Sequence, residues 1–318
     1  MRPDDVDDRA IADWCGMWLR ARPVEILATG GHLSRVSELL LANGRRVVVK
    51  VRAAQERLAG CAYVQQHLWR TGFPCPEPLA GPVPFGSGTG LAASAETWVP
   101  GGEMLSPGES GALDAYATLL ARMIRLAPPA ARLPSLAPAP PWNAWNHGGG
   151  GVWPIADDRP DDLNAIPETA WLDDVGRAVQ RRLAVAGTDA LVVGHGDFEA
   201  HNVRWRELST TGGLHYASVV VHDWDSVIVA PEAVIVGFAA AVWPSGVGPA
   251  STIDQTADFI EAYQRAAGRS WSRDEKGAAW AAGLWVRAFN EKKWRIDGQV
   301  ALGPDEAAER LRRAGATA

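Results

Sequence analysis

Cysteine is scarce in this sequence, and no apolar run is long. The 318 residues include only three cysteines, namely Cys15, Cys61 and Cys75. Three cysteines without CxxC spacing cannot complete a disulfide framework, which indicates a reducing compartment. The longest apolar run, over residues 227–243, is interrupted by Pro231 and Glu232 and is too short to cross a bilayer. We therefore expect neither a disulfide framework nor a transmembrane helix.

The sequence also lacks an excess of positive charge and a leader segment. Its 31 lysines and arginines are outnumbered by 37 aspartates and glutamates, which gives a net charge of -6. This balance argues against a protein that holds a phosphate backbone. The first residues, MRPDDVDDRAIADW, are acidic and have no basic start followed by an apolar stretch, as a secretory signal would. We expect a cytoplasmic protein with neither nucleic acid nor a membrane as its partner.

The first hundred residues predict a helix followed by an antiparallel sheet. The dipeptide Asn43-Gly44 is a strong signal for a two-residue hairpin. Gly72, followed by two prolines, predicts the end of the second helix. The predicted elements are a helix over residues 7–20, strands over 24–31, 34–44 and 45–52, a helix over 53–70 and two strands between 79 and 99.

The remainder predicts a larger lobe that is mainly helical. Pro100, Gly101 and Gly102 interrupt the chain, so we place a strand-rich lobe at residues 1–99, a hinge at about 96–101 and a second lobe at 100–318. At 318 residues, two lobes are reasonable because single cores stop growing at roughly 250 to 300 residues. A long Pro-, Gly- and Trp-rich loop covers residues 128–162. Helices are predicted over 112–127, 168–186, 254–267, 273–293 and 304–314.

Three oxygen-bearing side chains follow two apolar runs in the second lobe. Asp197 ends the motif His195-Gly196-Asp197, Asn202 lies five residues later, and Asp223 follows the run over 217–222. Phosphoryl transfer needs a carboxylate that accepts the proton of the attacking hydroxyl, and oxygen ligands for magnesium. Asp197, Asn202 and Asp223 supply these groups in that order.

The first lobe offers groups suited to phosphates. Lys50 is one of only four lysines and stands among valines on the third predicted strand, where it can reach nucleotide phosphates. The alternative is a lysine that extends from an edge strand into solvent. The turn containing Gly30, Gly31 and Ser34 can place backbone N–H groups and a hydroxyl over the same phosphates.

Taken together, these motifs resemble the aminoglycoside phosphotransferase and choline kinase family. The resemblance rests on His195-Gly196-Asp197-Phe198 with Asn202 and on Asp223-Trp224, and it extends from about Val24 to the last helices. It implies a protein-kinase-like α+β fold with a small antiparallel sheet in the first lobe and a mainly helical second lobe. It also implies a kinase that uses ATP and Mg2+ to phosphorylate a hydroxyl of a small molecule, such as an aminoglycoside-like antibiotic.

By this resemblance, each candidate residue takes a role. Asp197 is the catalytic base, Asn202 and Asp223 are magnesium ligands, and Lys50 contacts the ATP phosphates. The hinge residues Glu96 to Trp98 hydrogen-bond adenine through their backbone.

The sequence departs from the family pattern in two places. Members usually carry a glutamate in the middle of the first-lobe helix to pair with the strand lysine, roughly where residues 60–62 stand here as Gly-Cys-Ala. Glu56 is the nearest substitute and lies more than one helical turn earlier. Members also tend to carry an aspartate where this chain has Val-Ile-Val at 234–236.

The acceptor site is expected beside the catalytic segment. Residues 198–201, which include Glu199 and His201, lie between the base and the metal ligand, so at least one of their side chains should border the incoming hydroxyl. The preceding loop adds tryptophans and aspartates that could cover an apolar face and attract a cation. These loop residues are Trp142, Trp145, Trp153, Asp157, Asp158, Asp161 and Asp162. We predict an amine-bearing, hydroxylated acceptor.

Two other functions are compatible with parts of the sequence. A metal-dependent hydrolase could use His195, Asp197, His201 and Asp223 as ligands, but it leaves Lys50 unexplained. A kinase-like binding protein without turnover is the other alternative, which the departure at residues 60–62 favours.

Overall fold

The chain forms two compact units in a computed structural model that describes residues 2–186, 191–210 and 213–316. The first unit contains Met1–Pro100 together with the short segment Leu133–Ala137. The second contains Gly101–Arg132 and Pro138–Ala318. The sequence pattern places the boundary at residues 99 and 100, but it gives no indication that residues 133–137 belong to the first unit.

The first unit begins with a helix and continues with three strands, a second helix and two further strands. In order these are α1 (Asp8–Trp18), β1 (Pro23–Gly30), β2 (Ser34–Leu41), β3 (Arg46–Ala53), α2 (Arg57–Arg70), β4 (Pro78–Pro84) and β5 (Leu91–Thr97). The five strands form one antiparallel sheet in the order β1-β2-β3-β5-β4. The antiparallel sheet predicted for this lobe is therefore confirmed.

Alternate residues of β3 face opposite sides of this sheet. Val47, Val49 and Val51 are fully buried in the core that the sheet forms with α1, where Ile11 is also fully buried. Lys50 therefore lies on the other face, because successive side chains of a strand alternate. Since β3 is the middle strand of five, the edge-strand interpretation of Lys50 is wrong.

The turn between β2 and β3 is longer than the expected two-residue hairpin. The N–H of Gly44 donates to the carbonyl of Leu41 at 2.8 Å, and the N–H of Leu41 donates to the carbonyl of Arg45 at 2.9 Å. The side chain of Asn43 accepts from the Arg45 N–H at 3.1 Å. The Asn-Gly pair thus marks the turn correctly, but the loop occupies residues 42–45.

The amino-terminal half of α2 packs against a segment that is distant in sequence. A Cβ on Gly60 would lie only 2.7 Å from the carbonyl oxygen of Ser135, so this position has no room for a side chain. Arg57 is buried, and its Nε donates to the carbonyl of Leu136 at 3.4 Å. The segment Leu133–Ala137 therefore covers the face of α2 that contains Arg57 and Gly60.

The second unit is mainly helical. Its elements are α3 (Ala112–Leu126), α4 (Ala170–Ala184), β6 (Leu191–His195), β7 (Val203–Thr210), β8 (Gly213–Val221), β9 (Val227–Pro231), α5 (Glu232–Val242), α6 (Ile253–Ala267), α7 (Arg273–Ile296) and α8 (Pro304–Ala314). Strand β6 pairs with β9, and β7 pairs with β8, both antiparallel. The long apolar run divides into β9 and α5 at Pro231. Among the described residues, no helix combines the length and apolar character needed to cross a membrane.

Helices α5 and α7 approach each other closely at glycine. A Cβ on Gly237 would overlap the backbone carbonyl of Ala279, and a Cβ on Gly283 would lie 2.8 Å from the carbonyl oxygen of Gly237. Backbone atoms cannot move aside as a flexible side chain can. The position therefore admits only glycine without a shift of one helix.

Replacing Gly237 by alanine is expected to lower the free energy of unfolding by about 1 to 3 kcal/mol, as overpacking of a core does. Urea unfolding followed by circular dichroism measures this change. Gly150→Ala is the matched control, since a Cβ there meets nothing within 4 Å. Equal stability of the two variants would contradict the close packing of α5 and α7.

Candidate active site

The catalytic segment begins where β6 ends at a closely packed glycine. The N–H of Gly196 donates to the carbonyl of Ser226 at 2.7 Å. A Cβ on Gly196 would overlap Oδ1 of Asn143 and lie 2.8 Å from that same Ser226 oxygen. A glycine is required here because a backbone and a side chain approach from two directions. The turn thus positions Asp197 directly after the strand.

His195 links the two halves of the segment. Its ring is fully buried, Nε2 lies 2.9 Å from the carbonyl oxygen of His222, and Nδ1 accepts the N–H of Asp197 at 3.2 Å. This network requires the neutral tautomer with the proton on Nε2. Both ring nitrogens are engaged, so His195 is a structural residue, and the hydrolase alternative loses one of its four ligands.

Asn202 holds the carboxylate of Asp197. The side-chain Nδ2 of Asn202 donates to both the backbone carbonyl and Oδ2 of Asp197, each at 2.9 Å. Asn202 is itself buried, and its backbone carbonyl accepts the N–H of His222 at 2.8 Å. Because the amide nitrogen is occupied by Asp197, the amide oxygen is the atom of Asn202 suited to bind a metal.

Asp223 lies beyond β8 in a left-handed backbone conformation, with φ 64° and ψ 48°. Strand β8 ends at Val221, so Asp223 follows the apolar strand closely, as the sequence pattern predicts. Aspartate tolerates this conformation better than most residues since its short side chain bonds locally. Here the hydroxyl of Ser226 donates to Oδ2 of Asp223 at 3.1 Å.

The carboxylates of Asp197 and Asp223 carry like charges that repel each other. Burial and then the nearby carboxylate of Asp223 raise the pKa of Asp197, and several of its neighbours, among them the hydrogen-bonding Asn202, partly offset this increase. The carboxylate of Asp223 and the side-chain amide oxygen of Asn202 are hard-oxygen donors of the kind that Mg2+ prefers. The residues present therefore fit a magnesium ion. No group of three His, Cys, Asp or Glu side chains within residues 2–186, 191–210 and 213–316 has metal-binding geometry.

A cavity of about 190 Å³ opens beside Asp197. Its lining consists of Trp142, Gly196, Asp197, Glu199, Val242, Val286, Asn290 and Lys293. The indole N–H of Trp142 donates to the carbonyl of Gly196 at 3.0 Å, which fixes the loop containing Trp142 against the catalytic segment. The cavity therefore combines the carboxylates of Asp197 and Glu199 with one lysine, one asparagine, an aromatic wall and two aliphatic side chains.

Of the residues proposed to bind the acceptor, the structure brings two to this cavity. They are Trp142 and Glu199. Within the described part of the chain, Trp145, His201 and Asp157 lie outside the lining. The backbone carbonyl of Trp145 accepts from Gln180 at 3.0 Å, and Nδ1 of His201 lies 3.3 Å from the Glu199 carboxylate.

Three other loop residues have structural partners. Trp153 is buried, and its indole N–H donates to Asp173 at 2.6 Å. Asp158 forms an ion pair with Lys293, which itself lines the cavity. The carboxylate of Asp162 accepts the N–H of Asn164 at 2.9 Å, which caps a short helical turn. These contacts leave Asp197 and Glu199 as the main negative groups at the cavity.

Of the carboxylates of Asp197 and Glu199, that of Glu199 has the more strongly raised pKa. Burial and the charge of Asp197 both raise the pKa of Glu199 well above its usual range. An ammonium group placed between the two carboxylates would relieve this repulsion and favour the charged form of both. The geometry therefore suits a cationic ligand beside Asp197.

The predicted phosphate-binding turn lies between β1 and β2 in the first unit. Gly31 has a positive φ of 109°, and a Cβ there would overlap the carbonyl oxygen of Ser34. Gly30 ends β1, and a Cβ there would meet nothing within 4 Å, so glycine is required at only one of the two positions. The backbone curls tightly around Ser34, which is buried at the start of β2.

The predicted hinge residues lie in or just after β5. The N–H of Thr97 donates to the carbonyl of Glu77 at 2.9 Å, and the N–H of Trp98 donates to the carbonyl of Arg46 at 3.2 Å. The guanidinium carbon of Arg46 also lies 3.4 Å from the ring centroid of Trp98. Sheet contacts thus occupy these two amide hydrogens, and the adenine contact stays a prediction.

Lys50 has a carboxylate partner that the sequence analysis did not identify. Its Nζ lies 3.8 Å from Oε1 of Glu96, and both side chains are largely buried. Strand register could have indicated this pair, because Val48 faces Glu96 and Lys50 faces Ser94 across β3 and β5. Residues two apart on paired strands share a face.

Known proteins similar to this chain point to one family. The model of the phosphotransferase enzyme family matches residues 25–280, which is most of the chain. A comparison with curated protein sequences gives no match.

Several solved structures share the architecture. Amicoumacin kinase hAmiN, solved with AMP-PNP, Ca2+ and Ami, has a TM-score of 0.60 at 10% identity, over 98% of this chain and 92% of its own. The aminoglycoside phosphotransferase APH(4)-Ia has a TM-score of 0.50 at 17% identity, over 97% of each chain. A choline/ethanolamine kinase family protein from Mesorhizobium loti has a TM-score of 0.51 at 16% identity, over 97% and 93%. These likenesses confirm the protein-kinase-like fold.

Proposed function

Because this chain belongs to the phosphotransferase enzyme family, we propose that it transfers the γ-phosphate of ATP to a hydroxyl group of a small molecule. The observation that carries the proposal is the hydrogen bond of Asn202 to the Asp197 carboxylate at 2.9 Å, with Asp223 close enough to raise the pKa of Asp197. This arrangement provides one oriented proton acceptor and the oxygen ligands needed beside it.

In the proposed reaction Asp197 orients the acceptor hydroxyl. Asn202 binds one oxygen of the carboxylate, so the other is directed to the incoming O–H. That oxygen receives the proton as the new O–P bond forms and the bond between the γ-phosphorus and the ADP oxygen breaks, which releases ADP. The turn at Gly196 fixes the position of Asp197, and the buried His195 prevents the segment from tilting. Catalysis by this segment is therefore mainly a matter of positioning.

The nucleotide would be held by groups from the turn at Gly31 and by Lys50. The structurally similar hAmiN was solved with AMP-PNP, an ATP analogue, which supports ATP as the donor. The Oδ1 atom of Asn202 and the carboxylate of Asp223 are the groups that would hold Mg2+. When bound, the ion neutralises charge on the phosphates during transfer.

The acceptor is proposed to carry an amine as well as a hydroxyl. Glu199 and Asp197 border the same cavity, and Trp142 provides an aromatic wall. A cation beside two carboxylates and an indole is stabilised by both. The aspartates of the loop over residues 128–162 contribute less negative charge to the acceptor site than their number predicts, since Asp158 is already paired with Lys293.

A screen that measures ADP release tests this proposal. The panel contains aminoglycosides, macrolides, other hydroxylated antibiotics, amino sugars, choline and nucleosides, each at low and high salt. We expect turnover with an amine-bearing acceptor, whose KM rises with salt because ions screen the exposed part of the attraction. Glu199→Gln should raise that KM roughly 10-fold, as expected for loss of a charge-assisted hydrogen bond.

Glu168→Gln serves as the control, since Glu168 is exposed and lies outside the cavity lining. Selective use of a neutral sugar or nucleoside, with a KM independent of salt, would overturn the cationic acceptor and leave the kinase proposal intact. If the protein binds ATP but releases no ADP with any acceptor of the panel, a nucleotide-binding protein without turnover would be favoured.

A further inference from the structure

The first unit contains a lysine whose expected helix partner is missing. Lys50 lies on the face of the sheet opposite α1, with its side chain only 14% exposed. A partly buried ammonium requires an opposite charge nearby. The mid-helix position cannot supply one, because Gly60 is pressed against Ser135 and the positions beside it hold Cys61 and Ala62.

Glu56, the nearest glutamate in sequence, is poorly placed for this role. It is exposed at the amino end of α2, and its side chain makes no capping hydrogen bond. Its neighbour Arg57 is buried and directed to the carbonyl of Leu136. The amino-terminal part of α2 therefore packs against the segment Leu133–Ala137.

The carboxylate near Lys50 comes instead from the sheet. Glu96 stands on β5, next to the strand of Lys50 and on the same face, and its Oε1 lies 3.8 Å from Nζ. Glu96 is 8% exposed, so this pair is shielded from much of the solvent. Shielding makes the attraction stronger than that of a surface pair.

A second side chain fixes Glu96 in this position. Gln65, from the carboxyl-terminal half of α2, donates through Nε2 to Oε2 of Glu96 at 2.8 Å. The same amide donates to the carbonyl of Pro76 at 3.1 Å, and the thiol of Cys75 donates to the carbonyl of Gln65 at 3.7 Å. Burial and then the charge of Glu96 raise the pKa of Cys75 to about 12. One carboxylate oxygen is thus held by α2 while the other faces the lysine.

We propose that Glu96 is the positioning residue for Lys50, so that a strand carboxylate, anchored by Gln65, orients the lysine that contacts the nucleotide. The proposal rests on the proposed function for its kinetic consequence and on the first unit alone for its geometry. Helix α2 still contributes, because the side-chain amide of Gln65 donates a hydrogen bond to the carboxylate of Glu96. Loss of the helix glutamate therefore does not leave the lysine without orientation.

Glu96→Gln is expected to lower kcat/KM for ATP by about 10-fold to 100-fold, the range seen when a group that orients a functional side chain is removed. Glu96→Asp should recover part of the loss. Gln65→Leu should show a smaller defect, because Glu96 keeps its charge. Glu25→Gln is the control, since Glu25 is exposed on β1 and should leave kcat/KM unchanged.

A double-mutant cycle separates positioning from simple packing. In a Lys50→Met background, Glu96→Gln should have little further effect on nucleotide affinity, because the group that it orients is gone. Additive effects of the two substitutions would overturn the proposal. So would a Glu96→Gln variant with unchanged kcat/KM, or a Glu56→Gln variant with the larger defect.

Chemical labelling tests the pair independently of turnover. The chain has only four lysines, so peptide mapping after reaction with an amine reagent reports Lys50 directly. Without nucleotide, labelling of Lys50 should increase severalfold in Glu96→Gln and stay unchanged in Glu25→Gln. Equal labelling would refute the pairing, whereas failure of ATP to protect Lys50 in the unmodified chain would count against the proposed function. If Glu96→Gln unfolds, Glu96→Asp and Gln65→Leu provide the same comparison.

Discussion

Replacing Asp197 by alanine is expected to lower turnover by roughly 100-fold to 10,000-fold while the protein stays folded and still binds ATP. The loss has this size because a positioned general base contributes about that factor. Nucleotide binding should persist, since the proposed contacts of Asp197 are to the acceptor hydroxyl. Coupled ADP release measures turnover, and calorimetric titration with ATP measures binding.

Two further variants make this result specific to Asp197. Asp197→Asn keeps the volume of the side chain but removes its basicity, so its turnover should fall as far as that of Asp197→Ala. Asp258→Ala removes an exposed aspartate from α6 and should retain full activity. Near-normal turnover by either Asp197 variant would reject the assignment of the base.

Substitution of Asp223 should have the second largest effect. Asp223→Asn removes the charge but keeps a residue that tolerates φ 64° and can still accept the hydroxyl of Ser226. We expect turnover to fall about 100-fold and the half-saturating magnesium concentration to rise, because a charged oxygen ligand is lost. Titration of activity with MgCl2 at saturating ATP measures both quantities.

Asn202→Ala should show the same change in magnesium dependence, since it removes the other oxygen ligand. Asp174→Asn is the control, because Asp174 is exposed and pairs with Arg177 on the surface of α4. If magnesium dependence is unchanged in both Asp223→Asn and Asn202→Ala, these residues do not hold the metal.

Local patterns in the sequence were sufficient for the sheet and the catalytic segment. The valines around Lys50 predict the third strand, and in the structure the alternation of that strand buries Val47, Val49 and Val51 on one face of the sheet. The motif ending at Asp197, with Asn202 five residues later, predicts that both belong to one site, and in the structure a hydrogen bond joins them. In both cases the information lies within a few residues.

Contacts between distant segments could not be predicted in this way. The pairing of Lys50 with Glu96 depends on the register of β3 against β5, which no single strand encodes. The glycine at position 60 has its explanation in Ser135, which is far along the chain. The left-handed backbone conformation of Asp223 is likewise not predicted by its apolar neighbours.

The return of residues 133–137 to the first unit has a consequence for the order of synthesis. A ribosome makes Met1–Pro100 first, then α3, and only afterwards the segment that covers Gly60. Domains generally fold as units when they are complete. The first unit therefore completes its own packing only after α3 has been translated, so a fragment that ends at Pro100 would expose the face of α2 that Leu136 otherwise covers.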